Sequence, residues 1–181
     1  MIPDEPQRLP TVPSHPAPIQ AIPNVSLITT IGLLEILENE GEMELFALSK
    51  HVDKEFTQVL LVVKAAELLD WVVTPGQRVQ MTPAGREFLA AAVTTRKRLL
   101  NAKLRHILVF DLILRLLERS ENQEVDEDLV LGELAMLYPH ERPQRVFRTI
   151  VAWARYAELF KYSSTRKAVY SAALDAGVAS P

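Results

Sequence analysis

The sequence predicts a mainly α-helical fold with small β-hairpins, arranged as two winged-helix units in tandem. Segments with apolar residues at helical spacing fill most of the chain after residue 23, and two short β-prone runs around a turn follow the third helix. The same order returns in the second half of the chain. Three helices followed by a hairpin is the order of a winged helix, a variant of the helix-turn-helix. With 181 residues, 48% of them hydrophobic, the chain is long enough to bury a core.

The two ends of the chain are predicted to lie outside the folded units. Residues 1–23 hold seven of the twelve prolines, which block helix and sheet hydrogen bonding and favour extended conformations. We therefore expect a disordered or semi-rigid linker there. The small residues of 174–181 predict a flexible C-terminal tail.

The first unit is predicted over residues 24–93 and begins with a helix. Asn24 and Ser26 are alternative caps for this helix, and Gly41 marks its end. The residues between them carry apolar side chains at intervals of three and four, which is typical of an amphipathic helix packed on a core.

Two further helices and a hairpin complete the predicted first unit. Residues 43–52 form a short amphipathic segment, and Asp53 is expected to cap a third helix that reaches residue 71. Two β-prone runs follow, Trp71–Val73 and Val79–Met81. They flank Thr74-Pro75-Gly76, a sequence that favours a turn and therefore predicts a hairpin.

A long helix is predicted to lead from the first unit into a connector. Thr82 is positioned to cap it, Pro83 suits its first turn, and we expect a bend at Thr94 and Thr95. Residues 94–106 form the connector helix. We interpret its cations as a solvated surface, with phosphate contact as the alternative. These cations are Arg96, Lys97, Arg98, Lys103 and Arg105.

The second unit, residues 107–173, is predicted to repeat the plan with little sequence identity. Its elements are expected to be a helix over 107–120, an acidic loop over 121–128, a short helix over 128–138, a long helix over 141–160 and a hairpin over 161–172.

Composition and motifs exclude several classes of protein. The net charge of −3 provides no general attraction to nucleic acid, and the absence of cysteine excludes disulfides and thiolate metal sites. No stretch is long and apolar enough to span a membrane, and the N-terminus lacks the pattern of a signal peptide. We therefore expect a cytoplasmic protein without membrane insertion.

Catalytic patterns are also missing. The six glycines do not form a phosphate-binding loop, the four histidines lack the spacing of a zinc pair, and no serine lies in a nucleophile elbow. We predict a chain that is not an enzyme and that needs no metal or cofactor.

The predicted helix over 141–160 displays three arginines. At about 3.6 residues per turn, Arg145, Arg148 and Arg155 lie opposite an apolar stripe. Arginines on this helix of a winged helix could enter the major groove of DNA, but arginine also favours protein interfaces. Because the chain is acidic and the third helix of the first unit is nearly charge-balanced, we favour a protein-binding surface. DNA reading is the alternative. The apolar stripe comprises Val146, Ile150, Trp153 and Ala157.

Three motifs resemble those of a known family. GLLEILE at 32–38, MTPAGREFL at 81–89 and, most specifically, IVAWARYAELFKY at 150–162 are similar to the AAA-associated C-terminal domain. The resemblance covers roughly residues 24–172. One departure is Ala154, where the family usually has glycine, and this small-for-small change is compatible with close helix packing.

The resemblance implies a function and a partner. The family is appended to ATP-binding subunits of ABC transporters of the nitrate, sulfonate, taurine and bicarbonate type. It implies an accessory or regulatory module that contacts the ATP-binding subunit of an importer in the cytoplasm, at the inner face of the membrane. Because the proline-rich stretch directly follows Met1, we expect either a free-standing version or an excised part of a longer ATPase.

Overall fold

The structure is a computed structural model that describes residues 20–172. In this range it is mainly helical, with two small antiparallel sheets, as predicted. The helices are α1 (Leu27–Glu40), α2 (Leu45–His51), α3 (Phe56–Leu68), α4 (Pro83–Ala90), α5 (Val93–Leu104), α6 (Leu108–Arg119), α7 (Glu127–Leu137) and α8 (Pro143–Tyr156). The strands are β1 (Met43–Glu44), β2 (Val72–Val73), β3 (Arg78–Met81), β4 (Glu124–Asp126), β5 (Phe160–Ser163) and β6 (Ala168–Ser171). The predicted C-terminal tail and most of the predicted linker lie outside the described residues.

One order of elements occurs twice. A first half runs α1, β1, α2, α3, β2, β3, and a second half runs α6, β4, α7, α8, β5, β6, with α4 and α5 between them. In each half the last strand lies at the centre of its sheet, in the orders β1-β3-β2 and β4-β6-β5. The buried apolar side chains of both halves form one continuous core. The boundaries of two separate units stay a prediction.

Helix α1 begins and ends where the sequence predicts. Of the two candidate caps, Ser26 is the one used, because its hydroxyl accepts a hydrogen bond from the backbone N–H of Thr29 at 3.1 Å. At the other end Gly41 has a φ of 79°, a left-handed conformation that glycine adopts without strain.

The cap predicted at Asp53 is wrong. Asp53 lies in the turn between α2 and α3 with a φ of 49°, a conformation that aspartate tolerates better than most residues. Helix α3 begins three residues later, after Glu55, which makes no side-chain capping bond. The helix also ends earlier than expected, at Leu68, because the chain turns at Asp70 to enter β2.

The predicted hairpin is confirmed, with a third strand that was not predicted. Strands β2 and β3 are antiparallel, and their turn passes through positive φ at Gly76 and Gln77. Strand β1 joins the other edge of β3, with Met43 opposite Val79. Strand β1, Met43–Glu44, lacks the β-branched residues that mark β2 in the sequence.

Helix α4 approaches the hairpin closely. Its cap is the predicted Thr82, whose hydroxyl accepts from the N–H of Gly85 at 3.0 Å. A Cβ at Gly85 would lie 2.3 Å from the carbonyl oxygen of Trp71 and 2.9 Å from Met81 Cγ. Glycine is therefore required here for close backbone approach.

The long helix breaks two residues before the predicted bend. Ala91 and Ala92 are extended, so α4 and α5 are separate helices. Alanine favours helices, so the local sequence does not mark the break. The packing of α5 against other elements overrides the helix propensity of Ala91 and Ala92. The Arg96 guanidinium stabilises the break by donating hydrogen bonds to the carbonyl oxygens of Ala91, at 2.9 Å, and of Leu89.

Two predictions about the second half also need correction. The acidic loop contains β4, an edge strand that pairs with β6, with Val125 opposite Val169. Charged residues are common on such edges, which is why the segment resembles a loop. Helix α8 ends at Tyr156 and not at residue 160, since Glu158 has a φ of 53° and Phe160 already belongs to β5.

Residues 20–25, here called the N-terminal strap, cross the second half before α1 begins. The indole N–H of Trp153 donates to the Val25 carbonyl oxygen at 3.0 Å. The hydroxyl of Thr149 donates to Asn24 Oδ1 at 3.0 Å. Farther out, the Tyr138 hydroxyl donates to the Gln20 carbonyl oxygen at 3.1 Å, and burial raises the pKa of Tyr138 to about 12. These bonds join the beginning of the first half to the second.

We predict that Gly85→Ala destabilises the protein, because the added methyl group overlaps the Trp71 carbonyl group. The free energy of unfolding should fall by about 1–3 kcal/mol in urea titrations followed by circular dichroism.

Gly132→Ala is the matched control. A Cβ at Gly132, in the middle of α7, meets no atom within 4 Å, so this change should stabilise by about 0.5–1 kcal/mol. Equal stability of Gly85→Ala and the wild type would contradict the close approach.

Candidate functional site: the arginine face of α8

Helix α8 has one side buried in the core and one side in solvent. Pro143 occupies its first turn, where the missing N–H costs no helical hydrogen bond. Phe110 stacks on Trp153 with ring centroids 6.5 Å apart, and Phe147 meets Tyr162 edge to face at 5.2 Å. The predicted apolar stripe is confirmed as buried: Val146, Ile150, Trp153 and Ala157.

The structure separates the three predicted arginines into two groups. Arg145 forms an ion pair with Glu141 and borders a cavity beside the strap and Leu61 of α3. Its guanidinium is therefore already engaged at the junction of the two halves. Arg148 and Arg155 are exposed, and neither side chain has an ion pair or hydrogen bond with any residue in the range 20–172. These two residues are here called the arginine face.

Two of the five cations of the connector form ion pairs with the halves on either side of it. Lys103 pairs with Asp70 of the first half, and Lys97 pairs with Glu158 of the second at 2.7 Å. Between them, the Asn101 side-chain amide donates to the Ala157 carbonyl oxygen at 2.9 Å. Lys97 and Lys103 are half-buried, and their ion pairs lie at the surface, one with each half.

Two other cations of α5 border an open groove of about 410 Å³ between α5 and the end of α8. Arg105 bonds to Asn101 at 2.9 Å, and Arg98 is exposed without an ion pair among the described residues. Arg155 lies three residues before Glu158, which borders the same groove. The groove is therefore lined by cations of α5 and by Glu158, which Lys97 neutralises.

The corresponding helix of the first half has a balanced charge. On α3, Lys64 pairs with Glu67 at 2.9 Å. Burial alone would raise the pKa of Glu67, but hydrogen bonds from Thr74 and Lys64, with the Lys64 charge, outweigh it and lower the pKa below the usual value.

The second hairpin offers little free positive charge. Arg166 pairs with Glu124 at 2.7 Å and lies over the Tyr170 ring, 4.7 Å from its centroid. A hydrogen bond to Glu127 raises the pKa of Tyr162. Arg166 is therefore engaged with its own sheet, although it stays exposed, and the neighbouring Lys167 is exposed as well.

Between residues 20 and 172, no group of three or more histidine, aspartate or glutamate side chains lies close enough to hold a metal ion. None of the helices in that range has the length and hydropathy required to cross a bilayer.

A comparison with protein families identifies the chain. The model of the C-terminal AAA-associated domain matches residues 46–163, well over half of the sequence. The chain therefore belongs to that family, as the motifs at 81–89 and 150–162 indicate. The motif at 32–38 lies outside the matched range. No curated protein and no solved structure matches the chain.

We predict that the Lys97–Glu158 bond can be detected by titration. The hydrogen bond from Lys97, and then its charge, lower the pKa of Glu158 below its usual value. In Lys97→Met the pKa, followed by NMR of the carboxyl carbon, should rise towards that of a free glutamate.

The sign of the stability effect follows from linkage. Because the pKa is depressed in the folded state, the contribution is present above the unfolded pKa and is lost as pH falls through the folded pKa. The stability difference between wild type and Lys97→Met should shrink in that window. Arg98→Met, one position along and without an ion pair, is the control and should leave the pKa of Glu158 nearly unchanged.

Proposed function

We propose that this chain is a non-catalytic accessory module that binds the ATP-binding subunit of an ABC importer and regulates it through protein contact. The transporter is of the nitrate, sulfonate or bicarbonate kind to which the family resemblance refers. Membership of the AAA-associated family supports an ATPase as the partner. The module works in the cytoplasm, at the inner face of the membrane where it meets the transporter.

The two halves of the chain share one architecture. We propose that both halves are winged-helix units, with α3 and α8 as their third helices and the two hairpins as wings. The recurring order of elements and the matching strand orders of the two sheets support this assignment.

The arginine face is the observation that carries the proposal. Arg148 and Arg155 protrude from a helix whose opposite side is fully buried, so the helix backbone is held rigidly while the guanidinium groups remain available. A rigid scaffold reduces the entropy lost on binding. Arginine is enriched at protein interfaces and among the residues that contribute most to affinity.

DNA reading, the second candidate, has weaker support. Its basis is the same pair of arginines on the third helix of a proposed winged-helix unit. Against it, Arg145 is paired with Glu141, Arg166 is paired with Glu124, and α3 is charge-balanced. A DNA interface needs several free cations to neutralise phosphates.

We predict that the double substitution Arg148→Glu and Arg155→Glu weakens binding to the cognate ATP-binding subunit at least tenfold. Binding is measured by titration of the purified proteins and by co-elution. ATP turnover of the subunit should change when the wild-type chain is added, and the double variant should lose this effect.

The matched control is Arg86→Glu with Arg119→Glu. It makes the same change in net charge at two exposed arginines on α4 and α6. Equal weakening by both pairs would point to general electrostatic attraction, and no complex with the wild type would refute the proposal. Binding to duplex DNA that falls steeply with salt, and that disappears when Arg145, Arg148 and Arg155 are all changed to alanine, would favour the second candidate.

A further inference from the structure

An apolar groove of about 350 Å³ lies on the first half, between α1, α2 and α3. This volume is near the lower end of the range typical of small-molecule sites. Three of its apolar residues are buried and form the floor, and three are half-buried and form the walls. The floor residues are Leu33, Leu48 and Val59, and the wall residues are Ile36, Val52 and Val62.

The groove stays open partly because α1 has no side chain at Gly32. Gly32 borders the groove, and a Cβ placed there would meet no atom within 4 Å. Its backbone is helical, so no left-handed conformation requires glycine. Glycine inside a helix costs roughly 0.5–1 kcal/mol relative to alanine. The structural effect of glycine at this position is to leave space in the groove.

Two unpaired polar side chains mark one end of the groove. Lys54, in the turn before α3, and Gln58, in the first turn of α3, have no side-chain hydrogen bond or ion pair with any residue in the described part of the chain. Both also border an adjoining groove that contains polar residues. They therefore lie at the boundary between an apolar and a polar compartment. The third polar residue of the lining, Thr29, is already bonded to Ser26 at 2.8 Å.

We propose that this groove binds an aliphatic monocarboxylate, with the hydrocarbon tail between α1 and α3 and the carboxylate at Lys54 and Gln58. The apolar walls suit methylene groups, since burial of each one is favourable. The ammonium and the side-chain amide can both donate hydrogen bonds, so the head group must accept them. A carboxylate does this and also complements the positive charge of Lys54.

Neighbouring charges limit how strongly the head group is held. Asp53 and Glu55 line the adjoining groove together with Lys50 and do not line the apolar groove. Lys54 is exposed, so its attraction for the carboxylate is screened by water. The tail therefore supplies most of the affinity, and the head group fixes its orientation.

A titration of the full chain with sodium octanoate tests the proposal. In ¹H–¹⁵N correlation spectra we expect saturable shifts centred on Gly32, Val59 and Val62. Across butanoate, hexanoate and octanoate, each added methylene should tighten binding about fourfold until the groove is full, after which longer tails should gain nothing.

Two pairs of variants locate the site. Gly32→Leu should fill the groove and weaken octanoate binding at least tenfold, whereas Gly132→Leu, at another helical glycine with open space around it, should bind like the wild type. Lys54→Gln should weaken octanoate about two- to fivefold and leave octan-1-ol unaffected. Arg119→Gln, an equal change of charge on α6, should have no effect.

Several results would overturn the proposal. Shifts that do not saturate, or that spread over Phe46 and Phe56 without involving Gly32, would show non-specific association with exposed apolar groups. Tighter binding of octylamine than of octanoate would contradict the role of Lys54. Unchanged binding by Gly32→Leu would remove the groove as the site, and occupation of the groove by an amphipathic peptide but not by octanoate would assign it to a protein partner.

Discussion

The hydrogen bond from the Trp153 indole N–H to the Val25 carbonyl oxygen is the contact on which the arrangement of the two halves depends. The indole is fully buried and stacked on Phe110, so its N–H needs a partner within the protein. That partner is the last carbonyl group but one before α1. The largest fully buried side chain of the second half is thus bonded to the chain just before the first half begins.

Helix α5 makes the second connection between the halves, through two of its lysines. Lys97 and Lys103 bond in opposite directions, to Glu158 and to Asp70. These two lysines belong to the cations for which phosphate contact is the alternative in the sequence analysis, and here they form ion pairs within the protein. On α8, the arginines left without a partner among the described residues are Arg148 and Arg155.

Features that depend on local rules could be predicted from the sequence, and features that depend on distant contacts could not. Capping by Ser26 and Thr82 and the hairpin after α3 follow from neighbouring residues. Strands β1 and β4 exist because β3 and β6 offer them an edge, and the break at Ala91 exists because α5 packs elsewhere. Helical spacing placed Arg148 and Arg155 in solvent correctly, and the pairing of Arg145 with Glu141, four residues away, is also a local contact. The position of Arg145 beside the strap, by contrast, requires the folded chain.

The strap also determines how tension would pass through the molecule. Its contacts with Tyr138, Thr149 and Trp153 follow one another along the chain, so they bear a load in series. A pull applied at Gln20 would peel them away in that order before any strain reached α1. The half that comes later in the sequence would therefore be the first to register a force arriving from the N-terminal side.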